Sequence, residues 1–175
     1  NVLISTGGTG GHVIPALNIN DHLSNIFNTY IVTDLRGIKF IDKNKYKFEV
    51  IETPKFPSSL TKYPIYFFLI IYSLVKSLLY LKKKKIHYLI STGGYMSIPL
   101  CISAKILGIN IYLFEPNKVL GKSNKLILKF CKKIICNYEN IINFPSKFDD
   151  KIFLIKPILK KEIFLINKNK KTPNN

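Results

Sequence analysis

The stretch Ser5-Thr6-Gly7-Gly8-Thr9-Gly10-Gly11-His12 (residues 5–12) follows the apolar run Val2–Leu3–Ile4 and precedes Val13–Ile14–Pro15–Ala16–Leu17. A short apolar run bounded by glycines predicts a buried strand. Apolar residues continuing at Ile19, Leu23 and Ile26 suit one face of a helix. The glycines therefore sit on a strand-to-helix turn. Four glycines in five residues allow positive φ and let a ligand approach the backbone without a Cβ in the way. The first N–H groups of the helix and its dipole would favour phosphate or another anion. The alternative is a tight turn that binds nothing.

The motif is neither of two common phosphate loops. Gly8-x-Gly10 is present, but Val13 stands at the third glycine position of a dinucleotide fingerprint. No convincing acidic residue ends the second strand in the ribose-binding place; Asp34, the nearest, lies somewhat beyond the usual spacing. Gly121–Lys122–Ser123 ends like a P-loop, but Pro116 stands where the first glycine is required.

Working outward, Tyr30–Thr33 and Lys47–Ile51 read as the second and third strands, with Pro54 and Pro57 closing the latter. Pro64–Leu81 reads as a helix of about four turns, almost long enough for a bilayer. Its apolar residues wrap most of the circumference. It is either a crossover helix buried on the sheet or one with a surplus face toward an anionic bilayer, flanked by tyrosines and Lys82–Lys85. A true span fits least, because the helix must join two strands. His87–Ile90 is the next strand, and it runs into Ser91–Thr92–Gly93–Gly94–Tyr95, an echo of Ser5–Thr9. A helix over Met96–Leu107 ends at Gly108. Ile111–Phe114 is a strand, Leu120–Phe130 a helix, and Lys133–Cys136 and Ile152–Ile155 are strands. Strand–helix alternation predicts an α/β fold with a Rossmann-like parallel sheet and helices on both faces. Both glycine turns would then open at the carboxyl edge, where such sheets bind ligands.

The 175 residues are enough for one domain, here 1–158, with 159–175 as the start of a linker or truncated tail. The absence of an initiator Met before Asn1 suggests that the natural N-terminus lies upstream. A net charge of +17 calls for an anionic partner. The lysine clusters come with no nucleic-acid-binding signature, so nucleic acid is not expected. Cys101, Cys131 and Cys136 fit neither a zinc site nor a redox pair. With the first two on helices and the third on a strand, they read as buried free thiols, which favours a reducing compartment.

Four blocks together resemble one family. They are Ser-Thr-Gly-Gly-Thr-Gly-Gly-His-Val-Ile-Pro-Ala-Leu (5–17), Gly-Gly-Tyr-Met-Ser-Ile-Pro (93–99), Ala-Lys-Ile-Leu-Gly-Ile (104–109) and Glu-Pro-Asn-Lys-Val-Leu-Gly-Lys-Ser-Asn-Lys (115–125). Their order and spacing are similar to those of the MurG family, which transfers N-acetylglucosamine (GlcNAc) from UDP-GlcNAc to lipid I in peptidoglycan synthesis. The resemblance covers the N-terminal half of such enzymes. It implies the first domain of a GT-B glycosyltransferase, meeting the lipid acceptor and the cytoplasmic face of the bacterial inner membrane as a peripheral protein. The donor-binding C-terminal domain is absent from these residues, so this chain alone is expected to be inactive.

The resemblance also implies roles in an inverting transfer. His12, at a helix start where the dipole favours a neutral imidazole, is the candidate base; otherwise it only hydrogen-bonds the loop or a ligand. Glu115 would orient His12 or an acceptor hydroxyl, or else merely cap a helix. Gly7, Gly8, Gly10, Gly93, Gly94 and Tyr95 would hold the acceptor diphosphate, with Tyr95 otherwise a wall of the cleft. Thr9, Gly10, Gly11 and Asn117 would touch the donor. Lys160 is the nearest cation to the family's donor-binding arginine, one place further on. Phe114 and Pro116 replace the histidine and glutamine that usually flank Glu115. No metal site and no cofactor are expected. The competing reading is a non-catalytic membrane-associated subunit that binds the acceptor and recruits a separate donor-binding chain.

Overall fold

The computed structural model describes residues 1–54, 57 and 59–159. Seven strands form one parallel sheet: β1 (Val2–Ser5), β2 (Thr29–Thr33), β3 (Phe48–Val50), β4 (Tyr88–Ser91), β5 (Asn110–Glu115), β6 (Lys133–Cys136) and β7 (Ile152–Leu154). Their spatial order is β3-β2-β1-β4-β5-β6-β7. The winding direction reverses between β1 and β4, so this Rossmann-like sheet has its switch point between the two strands that carry the glycine turns.

Consecutive strand residues explain why both faces are covered. Leu3, Val32, Leu89 and Leu113 pack into a cluster on one face, while their neighbours Ile4, Ile31, Ile90 and Phe114 pack on the other. Alternate side chains of a strand point to opposite faces. Both sets are apolar here, so neither face can be left to water. Full burial of one such side chain is worth about 1.5–3 kcal/mol.

Among the described residues four helices cover the sheet: α1 (Gly10–Leu23), α2 (Tyr63–Lys83), α3 (Ser97–Ile106) and α4 (Lys122–Ile127). Val13, Ala16, Leu17 and Ile19 of α1 supply one face. Leu81 of α2, Leu100, Cys101 and Ala104 of α3, and Ile127 of α4 supply the other. Helix α3 ends as expected: Gly108 has φ +70°, and the N–H groups of Gly108 and Ile109 return to Lys105 and Ala104.

The expected helix over Leu120–Phe130 is shorter. It starts at Lys122, because the Gly121 N–H is held by Glu115 at 3.2 Å in extended backbone. Its last turn tightens to a 3-10 helix at Leu128–Phe130. The chain must then enter the sheet, and Lys132 N–H already bonds Ile111 O at 2.8 Å. Cys131 therefore lies just past the helix rather than on it. All three cysteines are buried free thiols. Burial pushes Cys131 up to about 12 and Cys136 up to about 11.

Helix α2 is turned the unusual way round. Its buried residues are Ser73, Ser77 and Leu81. Ile65, Phe67, Phe68, Leu69, Ile71, Tyr72, Val75 and Leu79 are exposed. The small serines sit on the inner side, where Ser103 Oγ of α3 donates to Leu74 O at 3.1 Å. Large apolar side chains are left facing outward. The segment Leu60–Lys83 is long and apolar enough to cross a membrane. It is the crossover that runs from the carboxyl end of β3 back to the start of β4.

Candidate functional site

Four chain segments leave the carboxyl edge beside the switch point. They follow β1, β2, β4 and β5. Together they enclose a cavity of about 300 Å³ lined by Gly7, Gly8, Thr9, His12, Arg36, Gly94, Tyr95, Gly121, Lys122 and Ser123. Among the described residues two cations line it and no carboxylate does, which suits an anion.

The two glycine turns are locked to each other. Thr92 Oγ1 donates to Thr6 Oγ1 at 2.9 Å, and Ser5 Oγ to Ser97 Oγ at 2.9 Å; Ser97 Oγ in turn donates to Gly93 O at 2.9 Å. A Cβ on Gly94, whose φ is +91°, would lie 3.0 Å from Gly7 O. Part of the glycine content thus serves the contact between turns rather than contact with a ligand.

His12 sits in the first turn of α1 and lines the cavity. Its Nδ1 lies 2.7 Å from Thr92 O. A carbonyl only accepts, so Nδ1 carries the proton. In the neutral ring Nε2 then holds a lone pair and is able to take a proton.

Glu115 is fully buried. Oε1 accepts from Asn117 N and Nδ2 at 3.2 and 3.0 Å, and Oε2 from Gly121 N and Asn124 Nδ2 at 3.2 and 2.7 Å. This carboxylate organises its own loop, and it is Thr92 rather than Glu115 that orients His12. Glu115 is a positioning residue at most, since it does not line the cavity.

Of the remaining expected site residues, Gly7, Gly8, Thr9, Gly94 and Tyr95 line the cavity. Gly8 offers shape but not its N–H, which goes to Asp34 Oδ1 at 2.8 Å. Gly93 stands behind the wall: its N–H goes to Ser91 Oγ, and a Cβ there would meet the Asn124 amide and the His12 ring. Gly10 faces Phe40, whose ring lies 3.2 Å from where its Cβ would be. Gly10 and Gly11 begin α1, where first-turn N–H groups have no intrahelical partner. Asn117 is bound to Glu115 outside the cavity lining. Lys160 lies outside the described residues.

The sequence reading missed Arg36 and gave Asp34 no part in the site. Asp34 is no ribose ligand. It is buried, and its Oδ1 accepts from Gly8 N and Gly37 N, each at 2.8 Å. Its Oδ2 takes Arg36 Nε and Nη2 at 2.9 and 2.7 Å. Burial works against the charge, but the Gly8, Arg36 and Gly37 donors outweigh it and hold the carboxyl below its usual range. The same carboxylate thus fixes the first glycine turn and aims a guanidinium at the cavity. The available signal was the Asp34-x-Arg36-Gly37 spacing at the end of the second strand.

Because the folded carboxyl is depressed, its contribution is present above the unfolded value and lost as pH falls through the folded one. Asp34→Asn should cost about 2–3 kcal/mol near neutrality, the scale of bonds to a charged acceptor. Urea unfolding checks this: the variant should lose less stability than the parent on going from pH 5 to pH 2.5.

Among the described residues no cluster of three or more potential ligands could hold a metal ion.

Comparison with known proteins bears on the family and the fold. The family profile for the glycosyltransferase family 28 N-terminal domain matches residues 2–136. The UDP-N-acetylglucosamine–N-acetylmuramyl-(pentapeptide) pyrophosphoryl-undecaprenol N-acetylglucosamine transferase of Pelagibacter ubique is 47% identical over 163 residues, covering 93% of this chain and 46% of that protein. The transferase of the same name from Rickettsia prowazekii is 35% identical, covering 93% of this chain and 42% of its own length. The chain thus spans about half the length of these relatives. Among solved structures, Acinetobacter baumannii MurG superposes with a TM-score of 0.74 at 21% identity, over 98% of this chain and 50% of that one. The UDP-GlcNAc 2-epimerase of Neisseria meningitidis gives 0.62 at 14% identity, over 98% of this chain and 51% of that one. With the profile covering most of its length and the fold in agreement, the chain belongs to the glycosyltransferase family 28 N-terminal domains.

Proposed function

We propose that this chain is the acceptor-binding half of an enzyme that transfers GlcNAc from UDP-GlcNAc to lipid I, the undecaprenyl-pyrophosphoryl-MurNAc-pentapeptide, giving lipid II. The observation that carries this reading is the cationic cavity that both glycine turns form at the switch point, with His12 at its wall. The acceptor diphosphate lies against Gly7, Gly94 and Tyr95, facing Arg36 and Lys122. His12 Nε2 removes the proton of the acceptor 4-hydroxyl as that oxygen attacks the anomeric carbon. The carbon–oxygen bond to UDP breaks on the opposite face, so the centre inverts. Thr9 and the first amides of α1 meet the donor, most of which is held by a C-terminal domain. A transfer assay tests the reading. The full-length enzyme containing this domain should convert lipid I and UDP-GlcNAc to lipid II and UDP, and these 175 residues alone should not. Failure of the full-length enzyme on lipid I, with turnover of another acceptor, would refute it.

The same reading makes the protein peripheral to the inner membrane. Helix α2 lies along the bilayer with its outward apolar face immersed. Its amino end lies on the carboxyl-edge side of the sheet, and its lysines lie about 30 Å away on the other side. Lys84 packs on the rings of Tyr30 and Tyr80 at 5.2 and 6.0 Å. Lys82, Lys83 and Lys85 are the exposed charges of this cluster. At about 1 kcal/mol each, replacing these three by Gln should weaken binding to anionic vesicles on the order of 100-fold at low salt. The salt dependence should flatten as well. Phe68→Ser should weaken binding at every salt concentration. Unchanged vesicle binding in both variants would remove α2 as the membrane surface.

A further inference from the structure

A second groove opens at the carboxyl edge, next to the cavity but outside it. It has a volume of about 470 Å³ and runs between the exit of β3 and helix α2, within the roughly 300–1,000 Å³ of small-molecule pockets. We propose that it binds the first isoprene units of the prenyl chain attached to the acceptor diphosphate. The proposal rests on the acceptor reading given above.

Three observations converge on a branched hydrocarbon. First, the walls are apolar: Leu35, Val50, Pro54, Leu69 and the Tyr72 ring. Second, the polar side chains of Glu52, Thr53 and Lys76 at its margin each make a bond within the protein. A Glu52 carboxylate oxygen accepts the Leu35 N–H. Lys76 Nζ donates to Val50 O at 3.1 Å, and the Thr53 and Ser73 hydroxyls share a bond of 3.4 Å. A peptide or a sugar would need polar partners, and the groove is poor in them. A prenyl segment needs none and gains by leaving water.

Third, the groove lies between two places that one ligand must occupy together. Leu35 stands directly between Asp34 and Arg36, so the groove begins one residue from the cavity cation. Leu69 and Tyr72 are 43% and 61% exposed and belong to the outward apolar face of α2, so the groove ends where the membrane surface begins. A prenyl diphosphate with its head in the cavity and its tail in the bilayer crosses this interval. Leu35 itself is 61% exposed. A large apolar side chain at the rim of an anion site has an evident use if hydrocarbon passes over it.

The test uses the purified chain and two soluble probes, farnesyl diphosphate below its micelle-forming concentration and methyl diphosphate, titrated calorimetrically without membranes. Farnesyl diphosphate should bind at least tenfold tighter. Leu35→Gln combined with Leu69→Gln, both at exposed positions that the fold tolerates, should reduce that ratio to threefold or less while leaving methyl diphosphate affinity unchanged. Phe68→Gln, on α2 but outside the groove, should leave the ratio intact. Equal affinities for the two probes in the parent protein would overturn the proposal. So would a tenfold ratio that survives the double substitution, or one that Phe68→Gln abolishes. If neither diphosphate binds, the acceptor-diphosphate reading fails first and the groove falls with it.

Discussion

His12→Ala in the full-length enzyme should lower kcat by about 10²–10⁴-fold, the usual contribution of a positioned general base, with little change in the KM for either substrate. The expectation follows from one bond. Nδ1 is 2.7 Å from a backbone carbonyl, so it holds the proton and Nε2 is the basic atom. The carbonyl belongs to Thr92, in the second glycine turn, while His12 belongs to the helix after the first. The ring is therefore aimed by the contact between the turns, and among the described residues no carboxylate bonds it. His12→Gln is the informative companion. A glutamine can keep the bond to Thr92 but cannot serve as a base. If His12 only ties the turns together, Gln should restore most of the activity. If Nε2 takes the proton, Gln should be about as inactive as Ala, while unfolding midpoints stay close to the parent's.

The second large effect is expected at Gly93. Its φ is +104°, and a Cβ there would stand 2.7 and 2.9 Å from the Asn124 side-chain amide and 2.9 Å from His12 Cε1. Alanine would add left-handed strain of about 1–2 kcal/mol and would displace two packed side chains besides. Gly93→Ala should cost about 2–4 kcal/mol in urea unfolding. It should also lower kcat/KM at least tenfold under conditions where the variant is fully folded, because the displaced ring is His12. Gly108→Ala is the control. It carries the same kind of strain, at φ +70°, with nothing within 4 Å of the new methyl group. It should lose about 1 kcal/mol and no activity. Equal activity losses in both variants would mean that the Gly93 effect is general destabilisation and not displacement of His12.

Much of the scaffold is legible in the chain because local signals agree with the global fold. Val2–Ile4 and His87–Ile90 are apolar runs that end in the same Ser-Thr-Gly-Gly sequence, and both are parallel strands at the switch point. That repetition is enough to bring Gly7 and Gly94 to one edge. Helix α2 was legible as apolar on too much of its surface, and its outward face carries Phe67, Phe68 and Ile71. What could not be read was where each backbone N–H goes. Gly8 and Gly93 look like phosphate donors in a list of residues. Their N–H groups are instead taken by Asp34, which is 26 positions away, and by Ser91. Arg36 was equally hidden. One arginine in a lysine-rich chain is unremarkable until the partner that aims it, two residues earlier, is seen gripping the glycine turn. Glu115 could be placed at a strand end from sequence. That both of its oxygens are filled by its own loop depends on Asn124 returning from α4, a tertiary contact that no local pattern encodes.

On this reading the cavity at the switch point receives the acceptor diphosphate. This is tested most directly by amide chemical shifts in the ¹⁵N-labelled domain, titrated separately with a soluble lipid I analogue and with UDP-GlcNAc. The acceptor analogue should move Gly7, Gly94 and Tyr95 together with the Arg36 side-chain resonance, and UDP-GlcNAc alone should leave these four in place. Movement of the same four signals by UDP-GlcNAc, with none from the acceptor analogue, would contradict it.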